Sequence, residues 1–257
     1  MPILELDGIS KRFGGIKALN DVSLHVDEKE IVGLIGPNGS GKTTLVNVVS
    51  GVYSPNSGKI IFKGRDITRL PSHLRCRMGI ARTYQVTRLF PNLTVLENVL
   101  IGVLNGRLHG KTTLNRATSL AEGILETVGL TKLKDLPAKS LVAPQRRILE
   151  FARALATDPQ LLILDECVAG LTTSEVSEML GTIKRIRDEK NITIIMIEHV
   201  MHAVMTVSDR VIVLHEGRKI AEGTPEKITK DEQVAEVYFG DRELALRVIG
   251  RDKLVKG

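Results

Sequence analysis

The sequence predicts an α/β fold with three parts: a small antiparallel β region, a core of β/α units, and a block of helices inserted into that core. Three observations predict it. The first thirty residues alternate apolar and polar, as in Ile3-Leu4-Glu5-Leu6 and Val22-Ser23-Leu24-His25-Val26, the period of half-buried strands. The apolar run at 31–35, the continuous aliphatic run at 161–164 and Ile192-Thr193-Ile194-Ile195-Met196-Ile197 read as strands buried on both faces, the habit of parallel sheets. Between about residues 94 and 157 apolar residues recur at helical spacing, as in Ala121, Ile124, Leu125 and Val128, and again in Ile148, Leu149, Ala152 and Leu155.

In the N-terminal region Gly14-Gly15 and Asn20-Asp21 are expected to mark turns between short strands. Phe13 falls there, and an isolated Phe in such a place is most often a core residue of a small sheet. The run Ile31-Val32-Gly33-Leu34-Ile35 then leads into Gly36, Pro37, Asn38, Gly39, Ser40, Gly41, Lys42, Thr43 and Thr44. Within it lies Gly36-x-x-x-x-Gly41-Lys42-Thr43, the spacing of a phosphate-binding P-loop, and Leu45-Val46-Asn47-Val48-Val49 continues as a helix. Strand, loop and helix in that order are the context the motif needs. Glycines let backbone N–H groups converge on phosphate oxygens, and the helix adds its positive N-terminal end. Lys42 can reach the outer phosphates and the Thr43 hydroxyl can ligate Mg²⁺. This segment predicts that the chain binds a nucleoside triphosphate.

Residues 51–58 are turn-rich, Lys59-Ile60-Ile61-Phe62 reads as a strand with a turn at Gly64, and the segment around Gly79-Ile80-Ala81-Arg82-Thr83-Tyr84-Gln85 is ambiguous. The helical block breaks at Gly106, Gly110, Gly129 and Pro137. After Pro159, Leu161-Leu162-Ile163-Leu164 ends in Asp165-Glu166, as a buried strand ends at its carboxyl edge, where open α/β sheets place ligands. Asp165 there can bind Mg²⁺ beside Thr43, and Glu166 can activate a water. A helix over 174–187 carries acids early and bases late. The run 192–197 ends in Glu198-His199, a hairpin surrounds Glu216-Gly217, and the tail from Thr224 has helix-like spacing. His199, read alone, is a partly buried structural histidine; beside Glu166 it becomes a candidate sensor of the terminal phosphate. Gln85 alone is an ordinary solvated residue.

Composition bounds the rest. The 257 residues suit one domain spanning 1–257, with a helical subdomain at about 88–155 inserted in the P-loop core. Five Phe, three Tyr and no Trp require an aliphatic core. The net charge of +6 is spread among acids, and no basic platform with interleaved aromatics points to nucleic acid. Arg75, Arg77 and Arg82 cluster in sequence and could face an acidic partner or lipid heads, or more simply form a solvated basic face. Cys76 and Cys167 have neither metal-site spacing nor the numbers of a disulfide framework, which fits a reducing compartment. No signal-peptide pattern or run of 18 apolar residues is present, so service to a membrane is expected from outside the bilayer.

Taken together, the P-loop, Gln85, the strand ending in Asp165-Glu166 and His199 resemble, in order and spacing, the ATPase subunits of ABC transporters over nearly the whole chain. Ala81-Arg82-Thr83-Tyr84-Gln85-Val86-Thr87-Arg88-Leu89-Phe90 is similar to the LivG type, which energises import of branched-chain amino acids. So are Val168-Ala169-Gly170-Leu171, Gly223-Thr224-Pro225-Glu226 and Val237-Tyr238-Phe239-Gly240. The resemblance implies a P-loop NTPase of the ABC ATPase kind, with ATP and Mg²⁺ as cofactors. It implies that Phe13 stacks on adenine, Gln85 contacts Mg²⁺ and the attacking water, Glu166 is the catalytic base and His199 the γ-phosphate switch. It also implies a dimer with a second ABC ATPase subunit, transmembrane permease subunits as partners, and a peripheral place on the cytoplasmic face of the membrane.

Two departures stand out. Cys167 replaces the Pro usual after the catalytic Glu. The signature, which faces the opposite subunit's nucleotide in the family, reads Leu141-Val142-Ala143-Pro144-Gln145 instead of Leu-Ser-Gly-Gly-Gln or Leu-x-Tyr-Gly-Gln. The resemblance therefore carries two functions: an ATP-hydrolysing importer subunit, or a nucleotide-binding regulatory subunit with weak hydrolysis. Soluble repair or translation ATPases usually add coiled coils or a second P-loop, which this sequence lacks.

Overall fold

A computed structural model describes residues 2–84, 88–198 and 200–239. The N-terminal region folds as two long strands, β1 (Pro2–Phe13) and β2 (Ile16–Asp27), paired antiparallel around Gly14-Gly15. The turn expected at Asn20-Asp21 is absent: both residues lie within β2. There the ladder shifts register, and Asp21 adopts a left-handed φ of 58°. Turn-forming residues here serve an irregularity in a strand, which lets the hairpin twist without ending. After β3 (Ile31–Ile35) and α1 (Lys42–Val49), β4 (Ser57–Phe62) and β5 (Arg65–Asp66) complete a four-stranded sheet in the order β2-β1-β4-β5.

Next come α2 (Ser72–Met78) and β6 (Ile80–Arg82), then three helices, α3 (Val95–Asn105), α4 (Leu114–Thr127) and α5 (Ala143–Ala156). Val95, Val99, Ala121, Leu125, Leu149 and Ala152 give these helices a core of their own. Thr94 and Glu97 cap α3 reciprocally, satisfying two of its free N-terminal amides.

The second half alternates β7 (Leu161–Asp165), α6 (Thr173–Lys190), β8 (Thr193–Ile197) and α7 (Met201–Val207). It continues into the hairpin of β9 (Arg210–His215) and β10 (Arg218–Gly223) and closes with α8 (Pro225–Ile228) and α9 (Glu232–Phe239). The six-stranded sheet runs β10-β9-β3-β8-β7-β6, parallel except for β10 at its edge. Every residue of β3, β7 and β8 is buried, which explains why Asp165 and Thr193 are their only polar residues.

Helix α1 lies between the two sheets. Its Leu45, Val46, Val48 and Val49 pack with Leu4, Leu6 and Phe62 of one sheet and Leu34, Ile163 and Ile195 of the other. Each such side chain stabilises the fold by about 1.5–3 kcal/mol, so α1 is clamped along its length. Arg75 reinforces the clamp from within. Its buried guanidinium donates to the carbonyls of Val48 (2.7 Å), Val49 (2.8 Å), Thr68 (2.9 Å) and Leu70 (2.8 Å). Burial lowers its pKa to about 10, and it still carries its charge to the negative end of α1. Neither a partner-facing patch nor a solvated face describes this cluster: of the three arginines only Arg77 is exposed.

Candidate active site

The P-loop hangs between the carboxyl end of β3 and the start of α1, and three neighbours fix its path. Gly217, at the β9–β10 turn, donates to the Ser40 carbonyl (3.0 Å) and accepts from the Asn20 amide (2.8 Å). The Tyr238 hydroxyl meets the Gly36 backbone, and burial pushes that phenol up to about 12. Two positions admit only glycine. At Gly36, φ is 153° and a Cβ would lie 2.2 Å from the Leu214 carbonyl oxygen. At Gly41, φ is 104° and a Cβ would lie 2.6 Å from the Ala18 carbonyl oxygen. Gly41 is also the N-cap of α1 and offers no side-chain acceptor, so the first-turn amides of Lys42, Thr43 and Thr44 have no intrahelical carbonyl.

An open cleft of about 690 Å³ lies over this turn, bounded by Ala18, Asn38, Gly39, Ser40, Gly41, Lys42, Thr43, Thr44, Glu166 and Ile197. Lys42 is buried with its ammonium donating to the carbonyls of Gly36 (2.7 Å) and Pro37 (3.0 Å). Burial lowers its pKa, and the negative charges of Glu166 and Asp165 oppose that shift. The cleft therefore holds one lysine, a ring of helix-start amides, two threonine hydroxyls and one carboxylate.

Glu166 reaches the cleft by an unusual backbone. Its φ of 53° is left-handed, a conformation that costs a non-glycine residue of order 1–3 kcal/mol and persists only where the surroundings impose it. Here its amide donates to the Ile197 carbonyl (2.9 Å), and Arg147 of α5 donates to its carbonyl (2.7 Å). Asp165, the last residue of β7, does not border the cleft. Its amide donates to the Thr83 hydroxyl (2.9 Å), and its carboxylate accepts from Arg82 (3.0 Å). Arg82 also donates to Asn47 of α1 (2.6 Å) and lies over the Tyr84 ring. Glu198, directly after β8, is 3% exposed; its carboxyl accepts from the Val168 amide (2.9 Å) and from the Cys167 thiol. Burial pushes that carboxyl up to about 7 and, with Glu198 beside it, pushes the thiol up as well.

Phe13 ends β1 at the hairpin tip, 42% exposed, edge-on to Tyr53 at 5.2 Å between centroids, with the Lys11 ammonium 5.3 Å from its ring. It is not a core residue, and its ring belongs to an open aromatic corner across the Gly14-Gly15 turn from the strand that carries Ala18 of the cleft wall. Leu141 is buried, Val142 is the N-cap of α5 and 57% exposed, and Ala143 and Pro144 open the helix. Gln145 turns back to accept from the Val142 amide (3.2 Å). None of these five borders the P-loop cleft; Ala143 lines a separate one of about 940 Å³ with Lys139, Arg146 and Arg147. Gln85 and His199 lie outside the described residues.

Sequence reasoning overlooked Arg82, Arg147 and Glu198 as parts of this site. A charged residue abutting a wholly buried strand is the signal that marks Glu198, and Arg82 likewise ends β6 at the same sheet edge. Arg147 has no such signal, since it sits on a half-exposed helix.

Residues 19–169 match the ABC transporter family, and residues 218–243 match the branched-chain amino acid ATP-binding cassette transporter family. The chain is 42% identical over 251 residues to the high-affinity branched-chain amino acid transport ATP-binding protein BraF of Pseudomonas aeruginosa, covering 93% of this chain and 98% of that one. It is 39% identical over 251 residues to the corresponding protein LivG of Escherichia coli (strain K12), with the same two coverages. Among solved structures, an ATP-binding cassette of an ABC transporter in its ADP conformation superposes with a TM-score of 0.82 at 33% identity, covering 94% of this chain and 100% of that one. The wrapped P-loop, the sheet that presents it and these similarities lead to one conclusion: the chain belongs to the ATP-binding cassette family of ABC transporters, in its branched-chain amino acid group, and is an ABC-type ATPase.

Proposed function

We propose that this chain hydrolyses ATP to energise a membrane importer for branched-chain or related amino acids. The observation that carries the chemistry is the placement of Glu166: a strained backbone delivers one carboxylate to the wall of a cleft otherwise made of phosphate-binding groups. In this reading the amides of residues 41–44 and the Lys42 ammonium hold the β- and γ-phosphates, where fixed donors stabilise developing charge without reorganising. Glu166 accepts a proton from the attacking water. Phe13 offers its open face to the base. The Thr43 hydroxyl borders the cleft, and the Asp165 carboxylate, held by Arg82 behind its wall, would act through water. Both are hard oxygen donors of the kind Mg²⁺ takes together with phosphate oxygens and water, so they fit that ion. Bound there, Mg²⁺ would neutralise charge between the outer phosphates.

The transport assignment is supported by relatives named as branched-chain amino acid transport ATP-binding proteins that align over nearly this whole chain. Those names give no support to a weakly hydrolysing regulatory subunit. Among the described residues no helix is long and apolar enough to cross a membrane, so the proposed place is peripheral, against transmembrane permease subunits and beside a second ATPase subunit. A groove of about 830 Å³ between α2, β6, α3 and α5, lined by Arg82, Tyr84, Arg88 and Arg153, is available for such a permease. Residues 1–257 act in this proposal as one nucleotide-binding domain, with the helical part at about 88–155 as its subdomain.

Glu166→Gln tests the chemistry, because it keeps size and hydrogen bonding while removing the base. ATP affinity should stay within about threefold of the parent while steady-state hydrolysis falls by about a hundredfold or more. A variant that turns over at the parent rate would move the base elsewhere. Identification of the membrane proteins that co-purify with the chain tests the transport assignment; absence of any permease-like partner would sink it.

A further inference from the structure

Glu198 does not border the P-loop cleft, yet it is one of the most deeply buried carboxyl groups among the described residues. Its surroundings give it a task. The chain leaves β7 at Asp165, turns left-handed at Glu166, and runs through Cys167 and Val168 toward α6. Hydrogen bonds from β8 and α5 hold that turn. The Glu166 amide donates to the Ile197 carbonyl, Arg147 donates to the Glu166 carbonyl, and the Val168 amide and Cys167 thiol both donate to the Glu198 carboxyl. Ile197 and Glu198 are successive residues at the end of β8, the strand that pairs directly with β7. The strand end thus grips the turn on both sides of Glu166, once by backbone and once by side chain.

We propose that Glu198 is a positioning residue for ATP hydrolysis: by holding the Val168 amide and Cys167 thiol, it fixes the left-handed turn that aims Glu166 into the P-loop cleft. This rests on the reading of Glu166 as the general base. A carboxyl group suits the place because one oxygen can accept from an amide while the other accepts from a thiol, and both donors come from the two residues after the strained one. Released from that grip, a non-glycine residue relaxes toward an ordinary backbone, and its carboxylate swings away from the water it must meet. Small misplacements of a catalytic group cost rate far more than they cost binding.

The test uses the full chain, with ATP affinity, KM, kcat and thermal stability measured for Glu198→Ala, Glu198→Asp and Glu198→Gln beside Glu166→Gln. Glutamine keeps an oxygen for the Val168 amide and should retain most of the turnover. Alanine should lower kcat at least tenfold with KM and ATP affinity within about twofold. Aspartate keeps the charge but withdraws the oxygen by one methylene, so it should slow turnover as alanine does, and it serves should the alanine variant not fold. In a Glu166→Gln chain, Glu198→Asp should cost nothing further. An aspartate or alanine variant at the parent kcat overturns the proposal, as does a glutamine variant as slow as alanine, or a fall in kcat matched by a rise in KM. If Glu166→Gln itself keeps the parent rate, the assignment of the base fails, and this inference with it. If Glu166→Gln is inactive while all three Glu198 variants are not, only this inference fails.

Discussion

Arg82 and Asp165 form an ion pair of 3.0 Å with side chains 7% and 4% exposed, joining the last residue of β6 to the last residue of β7. Arg82 extends the link to Asn47 of α1 and to Ser50, which caps that helix, so one guanidinium ties the strand bearing the acidic pair to the helix that follows the P-loop. Removing one member of such a pair strands the other charge out of water, which costs more than the pair itself contributes.

Arg82→Met should therefore destabilise the chain by about 3–5 kcal/mol, read from denaturant unfolding. It should also slow ATP hydrolysis, because Asp165 loses the partner that orients it. Arg77→Met, on the exposed face of α2, is the control and should change stability by less than about 0.5 kcal/mol. Equal losses in the two variants would mean that the Arg82–Asp165 pair has no special role.

How far the sequence carried the fold follows from which residues encode locally. The strands β3, β7 and β8 were legible because burial on both faces demands an almost wholly apolar run, whereas the three-residue β6 was too short to show one. The P-loop was legible because its glycines are forced by contacts such as Gly36 against Leu214. Helical breaks at Gly106 and Gly129 fell where α3 and α4 end. Asn20-Asp21 misled because turn residues also tolerate the positive φ of a strand irregularity. Arg75 and Arg82 misled for a deeper reason: charge within a short segment says nothing of which backbone carbonyls or carboxylates the fold brings around it. The same holds for Glu198, whose partners are about thirty residues away in the chain.

Lys42→Ala should lower ATP affinity at least tenfold. Its ammonium is the one lysine in the wall of the P-loop cleft, and each hydrogen bond lost from a charged group costs about 1.5–3 kcal/mol. Tenfold corresponds to about 1.4 kcal/mol, so even a single lost bond suffices. Because Lys42 also holds the carbonyls of Gly36 and Pro37, a comparison with Lys42→Arg separates charge from loop support. Unchanged affinity of the alanine variant in an ATP titration would remove Lys42 from the phosphate site.

Glu198 makes stability depend on pH in a predictable direction. Its carboxyl is pushed up from the ordinary 4.5 to about 7 by burial, so the folded chain holds that proton more tightly than the unfolded chain. The contribution is fully present below pH 4.5 and is lost as pH rises toward and through about 7. Across that window each pH unit costs about 1.4 kcal/mol from this one group. Glu198→Gln cannot titrate, so the parent's stability minus the variant's should fall as pH rises from 5 to 7.5, by about 1–3 kcal/mol in all. A flat difference would show that Glu198 titrates normally.

The departure at Leu141-Val142-Ala143-Pro144-Gln145 leads to the last prediction, which rests on the proposed facing of this segment toward nucleotide held by a second subunit. Backbone geometry shows what α5 can donate there. The helix begins at Ala143; Val142 caps it without a side-chain acceptor, and the Val142 amide is taken by Gln145. Pro144 has no N–H, and the Arg146 amide already serves the Val142 carbonyl at 3.0 Å. Among the first-turn amides, those of Ala143 and Gln145 remain, and no hydroxyl accompanies them. Losing one preorganised donor costs about 2.7–4 kcal/mol in a transition state, so a site completed by this segment should be slow. Restoring Val142→Ser, Ala143→Gly and Pro144→Gly together should raise steady-state hydrolysis by the chain purified alone at least tenfold. The same serine would cap α5 through the Gln145 amide, worth about 1 kcal/mol, against a similar cost for each of the two helix-start glycines, so stability should fall by about 1 kcal/mol and the chain should stay folded. A rate that stays at the parent level in a stably folded triple variant would show that α5 does not point its first turn at ATP.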